Sequence, residues 1–364
     1  MKVLNFNPRK ALDKIKPYVP GKPINEVKRE LGLTEVIKLA SNENPYGPSP
    51  KAKEAMVKTI SNVQLYPDGR AYELKEALAK FYNLKMNQIV VGNGSDEIIK
   101  LLSEAFLETG DNIVQAEPTF SEYEFGALLM GAEVKKVPLK DYTHDLEGLW
   151  QAIDKKTKLV YICNPNNPTG TIIDEKTLLE FLDKLPEGVI AVLDEAYAEY
   201  VTSEAYPDSI KLIDRYPVLI LRTFSKIYAL AGLRVGYGLG TEKLISLLEK
   251  AREPFNVNLL GQVAALASLQ DTKYKVNSKQ KNKQARELFY LECEKRKINY
   301  VKSETNFVLM GVENADSAFK GLLQRGVIVR SGSVFGLPHH LRVSLGTSNE
   351  MEKFWHAFDE MEVK

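Results

Sequence analysis

The sequence has few cysteines, almost no net charge and no long apolar segment. Its only cysteines, Cys163 and Cys293, are too few and too far apart for a disulfide framework or a zinc site, which indicates a reducing compartment. The 49 lysines and arginines nearly balance 48 aspartates and glutamates, so no global field draws the protein to nucleic acid or to an anionic membrane. Residues 1–21 are interrupted by charges and prolines, and no run reaches the ~18 apolar residues of a membrane span. We therefore expect a cytoplasmic protein.

Histidine is also scarce, and the four histidines show no metal-ligand spacing with other ligands. No metal site is expected. What the sequence does have is length and ordinary globular composition: 364 residues, 44% hydrophobic and 27% charged. Because this length exceeds what one hydrophobic core usually serves, we expect more than one domain.

Short β-branched runs alternate with segments of helical period through the first two thirds of the chain. This alternation predicts a mainly parallel sheet covered by helices on both faces. After residue 241 a long charged helix over 272–297 precedes short strands, which predicts a second, smaller α+β domain. The six strands predicted for the first sheet are 89–91, 113–116, 134–137, 159–163, 189–193 and 218–221.

Polar segments follow five of these strands, namely GNGSDE, EPTFSEY, NPNNPTG, DEAY and RTFSK. In α/β sheets, ligands collect at the carboxyl ends of the strands. We therefore expect these five segments to meet at one site.

Lys226 and Arg234 lie in one of these segments, TFSKIYALAGLRVGYG. A lysine amine can form a Schiff base with a carbonyl cofactor, and an arginine can hold a phosphate in a bidentate grip. Together they suggest pyridoxal phosphate, although an isolated lysine is more often a solvated surface charge.

Asp194 follows the apolar run VIAVL, which predicts that its carboxylate is buried near a strand end. A buried carboxylate needs a partner, and a protonated pyridine nitrogen would be one. Capping a turn or pairing with an arginine is an equally good interpretation of this segment alone.

Other candidate residues have both a functional and a structural interpretation. Ser95 and Asp96 follow two glycines before a helix, where an anion can bind, but either also suits an N-cap. Phe120 suits stacking on a ring or packing in the core. Asn167 and Tyr197 suit hydrogen bonding at the cleft or a structural role in loops. Arg330 and Arg342 suit binding of an anion at the cleft or a surface ion pair.

The motifs resemble those of the fold type I pyridoxal-phosphate aminotransferases, and among them the histidinol-phosphate aminotransferases. The resemblance covers nearly the whole chain, in the family's order: KPYVPGKP, ASNENPYGPSP, YPDGRAYELKEALA, GNGSDEII, NPNNPTG, VLDEAY, TFSKIYALAGLRVGY and LRVSLGT. It implies a large domain over 41–255 with a mainly parallel seven-stranded sheet flanked by helices. It also implies a small α+β domain over 256–364, to which part of the arm over 1–40 belongs.

The resemblance also implies roles for individual residues. Lys226 would be the Schiff-base lysine and Asp194 the partner of the pyridine nitrogen. Phe120 would stack on the ring, and Asn167 and Tyr197 would contact its phenolic oxygen. The residues implied around the cofactor phosphate are Ser95, Asp96, Thr223, Ser225, Arg234 and, from the second subunit of a homodimer, Tyr66.

The implied substrates are L-histidinol phosphate and glutamate or 2-oxoglutarate. Arg342 would bind the α-carboxylate of glutamate, and Arg330 and Tyr18 would lie near the substrate phosphate. Asn42 and Asn44 line the cleft in relatives, without an assigned role. An aromatic amino-acid aminotransferase or an enzyme serving both substrates is the near alternative. A threonine-phosphate decarboxylase and a catalytically idle cofactor-binding module are more distant ones.

Overall fold

The computed structural model describes residues 7–15, 17 and 21–361. Its strands are β1 (Ile37–Lys38), β2 (Ile89–Gly92), β3 (Asn112–Glu117), β4 (Glu133–Pro138), β5 (Thr157–Cys163), β6 (Ile190–Asp194), β7 (Val218–Thr223), β8 (Gly236–Gly240), β9 (Tyr300–Val301), β10 (Phe307–Gly311), β11 (Val327–Ile328), β12 (Arg330–Ser331) and β13 (His340–Ser344). Its α-helices are α1 (Ile24–Leu31), α2 (Pro50–Thr59), α3 (Tyr72–Tyr82), α4 (Ser95–Phe106), α5 (Glu122–Met130), α6 (Leu146–Ala152), α7 (Glu175–Leu182), α8 (Glu242–Ala251), α9 (Leu259–Leu269), α10 (Thr272–Lys295), α11 (Ala315–Gln324) and α12 (Ser348–Asp359).

Many helices begin at a residue whose side chain caps the first turn. A short polar side chain at this position accepts a hydrogen bond from a backbone amide that has no partner within the helix. Local sequence therefore fixes where these helices start. Eight of the described α-helices have such a cap: Ser49, Asp145, Asp174, Thr241, Asn258, Asp271, Asn314 and Thr347.

Seven strands form the larger sheet, in the order β2-β8-β7-β6-β5-β3-β4. The pairs from β7 to β4 are parallel, and β8 runs antiparallel to both of its neighbours. Strands β5, β6 and β7 are almost continuously apolar because helices cover both faces of the sheet. The predicted mainly parallel seven-stranded sheet flanked by helices is confirmed.

Strand β8 was not among the six strands predicted from β-branched runs. Its sequence, GYGLG, has three glycines, and glycine is poor in strands because it has no side chain to pack. A Cβ on Gly236 would lie 2.3 Å from the backbone nitrogen of Ser95. The missing side chain therefore allows the start of helix α4 to pack directly against this strand.

A four-stranded antiparallel sheet, in the order β12-β13-β10-β9, lies in the C-terminal part of the chain. Its apolar core includes Phe289, Phe354 and Trp355. A pair of short parallel strands, β1 and β11, joins residues near the N-terminus to this region. The short strands predicted after the long charged helix are present, whereas the domain boundaries at residues 40 and 255 stay a prediction.

Strand β1 continues into a segment that bonds to both C-terminal strands beside it. The amide of Leu39 donates to the carbonyl of Ile328 at 2.7 Å, and the carbonyl of Leu39 accepts from the amide of Ser344 at 2.9 Å. Residues 40–44, which follow, pass between the two sheets. In the part of the chain that the structure describes, no helix is long and apolar enough to cross a membrane.

Candidate active site

Twelve of the fourteen residues predicted for the site line one cleft at the carboxyl edge of the large sheet. Strands β5, β6 and β7 end there, and strands β12 and β13 of the second sheet form the facing wall. The convergence expected from the sequence is therefore present. The twelve residues are Ser95, Asp96, Phe120, Asn167, Asp194, Tyr197, Thr223, Ser225, Lys226, Arg234, Arg330 and Arg342.

Lys226 follows strand β7 and extends its amine into the cleft. Its Nζ lies 3.4 Å from the carbonyl oxygen of Ser41 and 5.5 Å from the centre of the Tyr197 ring. Burial is the main cause that lowers the pKa of the amine, and the positive charge of Arg342 is the second. Together they bring this pKa to about 8. A larger fraction of this amine is therefore neutral near pH 7 than for an ordinary lysine, as a nucleophile or a general base requires.

Asp194 ends strand β6 and is buried. Its carboxylate accepts hydrogen bonds from the Tyr123 hydroxyl at 2.6 Å and from the Ala196 amide at 3.2 Å. Burial raises the pKa of this carboxyl to about 6, even though both hydrogen bonds favour the charged form. A cationic ligand atom beside it would restore the ordinary acidity.

An anion site lies where helix α4 begins. The backbone at Gly94 has a φ of 81°, a conformation that favours glycine, and turns the chain so that helix α4 starts at Ser95. Arg234 reaches this point with its guanidinium and donates to Asp96 at 2.7 Å and toward the Ser225 hydroxyl at 3.5 Å. The helix start, the hydroxyls of Ser95, Ser225 and Thr223, and the guanidinium of Arg234 together suit a phosphate.

The second sheet contributes two arginines that are opposite each other. Arg330 on β12 is the register partner of Arg342 on β13, and both line the cleft. Arg342 is buried and donates to the Asn167 side-chain oxygen and to the Ala40 carbonyl, each at 2.6 Å. Positive charge therefore accumulates on the wall that faces Lys226.

The two remaining predicted residues are tyrosines, Tyr18 and Tyr66. Tyr18 lies outside the described residues. Tyr66 is 82% exposed and stacks on Phe255, with ring centres 4.8 Å apart. Its exposure leaves it available to a second copy of the chain.

Sequence reasoning missed Tyr123 and left Asn42 without a role. Tyr123 lies three residues after Phe120 on the start of helix α5, and its ring stacks on Tyr161 with centres 4.3 Å apart. The position looks like a core aromatic, and only the packing shows that its hydroxyl reaches Asp194. Asn42 bonds to Tyr197 across more than 150 residues of sequence. No local sequence pattern predicts a contact between residues so far apart in the chain.

Comparison with known proteins agrees with this geometry. Residues 34–358 match the family described as aminotransferase class I and II. The chain belongs to this aminotransferase family. Among its relatives, the histidinol-phosphate aminotransferase of Moorella thermoacetica is 50% identical over 356 residues, covering 97% of this chain and 92% of the relative. That of Brevibacillus brevis is 47% identical over 358 residues and covers 98% of either chain.

Solved structures extend the comparison to three dimensions. The histidinol-phosphate aminotransferase from Sinorhizobium meliloti, solved in complex with pyridoxal-5'-phosphate, matches this aminotransferase with a TM-score of 0.88. The two are 28% identical, and the match covers 96% of each chain. The enzyme of that name from Clostridium acetobutylicum has a TM-score of 0.82 and the same identity.

Proposed function

We propose that this aminotransferase uses pyridoxal phosphate to transfer an amino group between L-histidinol phosphate and 2-oxoglutarate, in histidine biosynthesis. The observation that carries the proposal is the placement of Lys226, Asp194 and Arg234 around one cleft that also receives Arg330 and Arg342. The relatives named above carry the activity in their names and match nearly the whole chain.

The cleft fits pyridoxal phosphate by its charges. The pKa of Asp194, raised by burial, favours a ligand with a cationic nitrogen at this carboxyl. The anion site at Ser95 and Arg234 suits the phosphate, and Lys226 has the lowered pKa of a reactive amine. Phe120 would cover one face of the ring, and the side chains of Asn167 and Tyr197 would bond to its oxygen. When bound, the cofactor supplies an electron sink for the charge that forms at the substrate α-carbon.

The protein's own groups orient the substrate and move its proton. Lys226 Nζ would accept the proton from the substrate α-carbon and later return it, since its pKa of about 8 is near the working pH of an enzyme. Asp194 would hold the ring nitrogen in its protonated state. Tyr197 is buried, so its pKa is raised and its hydroxyl keeps the proton that it donates.

The two arginines of the second sheet would distinguish the substrates. Arg342 would bind the α-carboxylate of glutamate, which histidinol phosphate lacks, and Arg330 with Tyr18 would bind the phosphate of histidinol phosphate. A guanidinium forms paired, charge-assisted hydrogen bonds with either anion. Two arginines at one register position suit a site that receives a carboxylate in one half-reaction and a phosphate in the other.

A homodimer is part of the proposal, with Tyr66 reaching the phosphate in the partner's cleft. Several exposed apolar side chains lie near Tyr66 in the sequence, as expected for a surface that a second copy covers. They are Val57, Ile60, Val63, Leu65 and Tyr72, all more than half exposed. We also infer a cytoplasmic location, because the chemistry belongs to metabolism and both cysteines are free thiols.

The test is a paired assay with the purified protein, added pyridoxal phosphate and 2-oxoglutarate. L-Histidinol phosphate should be turned over with a higher kcat/KM than phenylalanine. A preference for phenylalanine would refute the proposed substrate, and release of CO2 from threonine phosphate would refute amino transfer.

Lys226→Ala should lower kcat by roughly 10²–10⁴-fold, because it removes the proton-transferring amine. It should also remove the visible absorbance that added cofactor gives to the protein. Lys176→Ala is the matched control, since this lysine is 87% exposed on helix α7. Equal rates in the two variants would contradict the proposed mechanism.

A further inference from the structure

Asn42 lies between the two sheets and is almost completely buried. Its side-chain nitrogen donates to the Tyr197 hydroxyl at 2.9 Å. Its side-chain oxygen accepts from the Ser344 hydroxyl, also at 2.9 Å. The backbone is held as well: its amide donates to the Ser344 hydroxyl, and its carbonyl accepts from the Asn306 side chain, each at 2.9 Å.

These bonds fix the direction in which the Tyr197 proton points. Ser344 donates to the oxygen of the Asn42 amide, so the amide nitrogen faces Tyr197. The Tyr197 oxygen is then an acceptor from Asn42, and its single proton is directed elsewhere. Because Tyr197 lines the cleft, the remaining direction is toward a ligand there.

The backbone of Asn42 supports the same conclusion. Its φ is 56°, in the left-handed region that is unfavourable for most residues and that asparagine tolerates better than others. Such a conformation persists only where the surroundings hold it in place. Here they do so from the C-terminal sheet, through Ser344 on β13 and Asn306 just before β10.

We propose that Asn42 is a positioning residue, which orients the Tyr197 hydroxyl so that it donates its proton to the ring oxygen of the bound cofactor. Through Ser344 and Asn306, it makes this orientation depend on the seating of the C-terminal sheet. The inference rests on the proposed function, because it assigns a role to Tyr197 toward pyridoxal phosphate.

The effect of Asn42 is measurable in the visible absorbance of the cofactor-bound protein as pH is varied. A hydroxyl that donates to the ring oxygen withdraws negative charge from it, so the oxygen holds less tightly the proton that it shares with the Lys226 nitrogen. Weaker donation therefore raises the midpoint of the titration. The titratable and charged groups around Tyr197 are Arg342, Lys226, Asp194 and Cys163. All four are present in every variant, so a difference between variants reports on Asn42 and Tyr197.

The variants are Asn42→Gly, Tyr197→Phe and the double variant. Glycine is chosen because it accepts a φ of 56° without strain and adds no charge. We expect Asn42→Gly to raise the midpoint by about 0.5 pH unit, as for loss of part of one hydrogen bond, and Tyr197→Phe to raise it by about 1 unit. In the Tyr197→Phe background, Asn42→Gly should produce no further shift.

Two results would overturn the inference. One is an unchanged midpoint in Asn42→Gly. The other is an equal shift by Asn42→Gly in the parent and in the Tyr197→Phe background, because Asn42 would then act without the hydroxyl. Ser344→Ala should move the midpoint in the same direction as Asn42→Gly, and it preserves the Asn42 side chain if the glycine variant folds poorly.

Failure of the proposed function gives a different result. If the parent protein gains no visible absorbance on addition of pyridoxal phosphate, the cofactor assignment itself is wrong. If the absorbance appears and its midpoint shifts in Tyr197→Phe but not in Asn42→Gly, only the role of Asn42 is wrong.

Discussion

Asp194 is a carboxyl group that the fold makes hard to ionise. Its pKa is about 6 in the protein, above its ordinary value of 3.8, because it is buried. Between these values the folded protein binds more protons than the unfolded chain, so the stability of the cofactor-free protein falls as pH rises through this window. The full cost, roughly 3 kcal/mol, is present above pH 6.

Asp194→Asn should therefore stabilise the cofactor-free protein at pH 7.5, by roughly 1–3 kcal/mol, and should have little effect below pH 4. Urea unfolding at the two pH values measures the difference. With added pyridoxal phosphate, the parent should become more stable than Asp194→Asn, because only the carboxylate can pair with a cationic nitrogen. Asp208→Asn, at an exposed carboxyl, is the control. Equal stability of Asp194→Asn and parent at pH 7.5 would contradict this account.

Arg330 and Arg342 should separate the two half-reactions. Arg342→Gln is expected to reduce kcat/KM for glutamate more than for histidinol phosphate, by at least about tenfold, and Arg330→Gln should do the opposite. Single-turnover absorbance changes with each substrate measure this. The two variants serve as controls for each other, and parallel losses in both would show that the arginines do not discriminate.

Helix α4 and strand β8 form the element pair on which the anion site depends. The helix presents its start to the site only because β8 carries no side chain at Gly236, where a Cβ would lie 2.5 Å from the Gly94 carbonyl carbon. The strand thus determines the position of a helix that follows a different strand, β2.

Gly236→Ala should displace the start of helix α4, lower stability by about 1–3 kcal/mol, and weaken binding of pyridoxal phosphate more than binding of pyridoxal. Fluorescence titration with the two ligands isolates the contribution of the phosphate. Gly232→Ala makes the same chemical change where a Cβ would meet nothing within 4 Å. If both alanine variants bind the phosphorylated ligand equally well, the packing argument is wrong.

Sequence pattern predicted the elements whose own residues specify them. The apolar runs of β5, β6 and β7 indicate buried parallel strands wherever they occur, and polar residues after them could be placed at one edge of the sheet. Strand β8 was not predicted, because its glycines allow close packing of the neighbouring helix and leave the strand without a β-branched run. Asn42 and Tyr123 gained their roles from partners distant in sequence, Tyr197 and Asp194, and no local periodicity encodes such pairs.

At the scale of the whole molecule, the exposed apolar side chains near Tyr66 in the sequence are those that the proposed dimer would cover. Leu65→Asp should convert the dimer to a monomer, because it would bury an unpaired charge at the interface. Sedimentation velocity measures the change, and affinity for pyridoxal phosphate should fall with it. Leu288→Asp is the matched control, since Leu65 and Leu288 are 62% and 58% exposed. A Leu65→Asp dimer would contradict the position of the interface.

The pairing of β2 with β8, and of β1 with β11, has a consequence for synthesis. The N-terminus of the chain leaves the ribosome first. Strand β2 therefore cannot pair until Gly236–Gly240 has been synthesised, and β1 cannot pair until Val327–Ile328 has been synthesised. Meanwhile the apolar strands β3 and β5 are exposed in the nascent chain, as in other parallel sheets with distant pairings. The cleft between the sheets is thus among the last parts of the protein to form. Chaperone depletion should therefore reduce the yield of newly synthesised protein, while protein that has already folded keeps its activity.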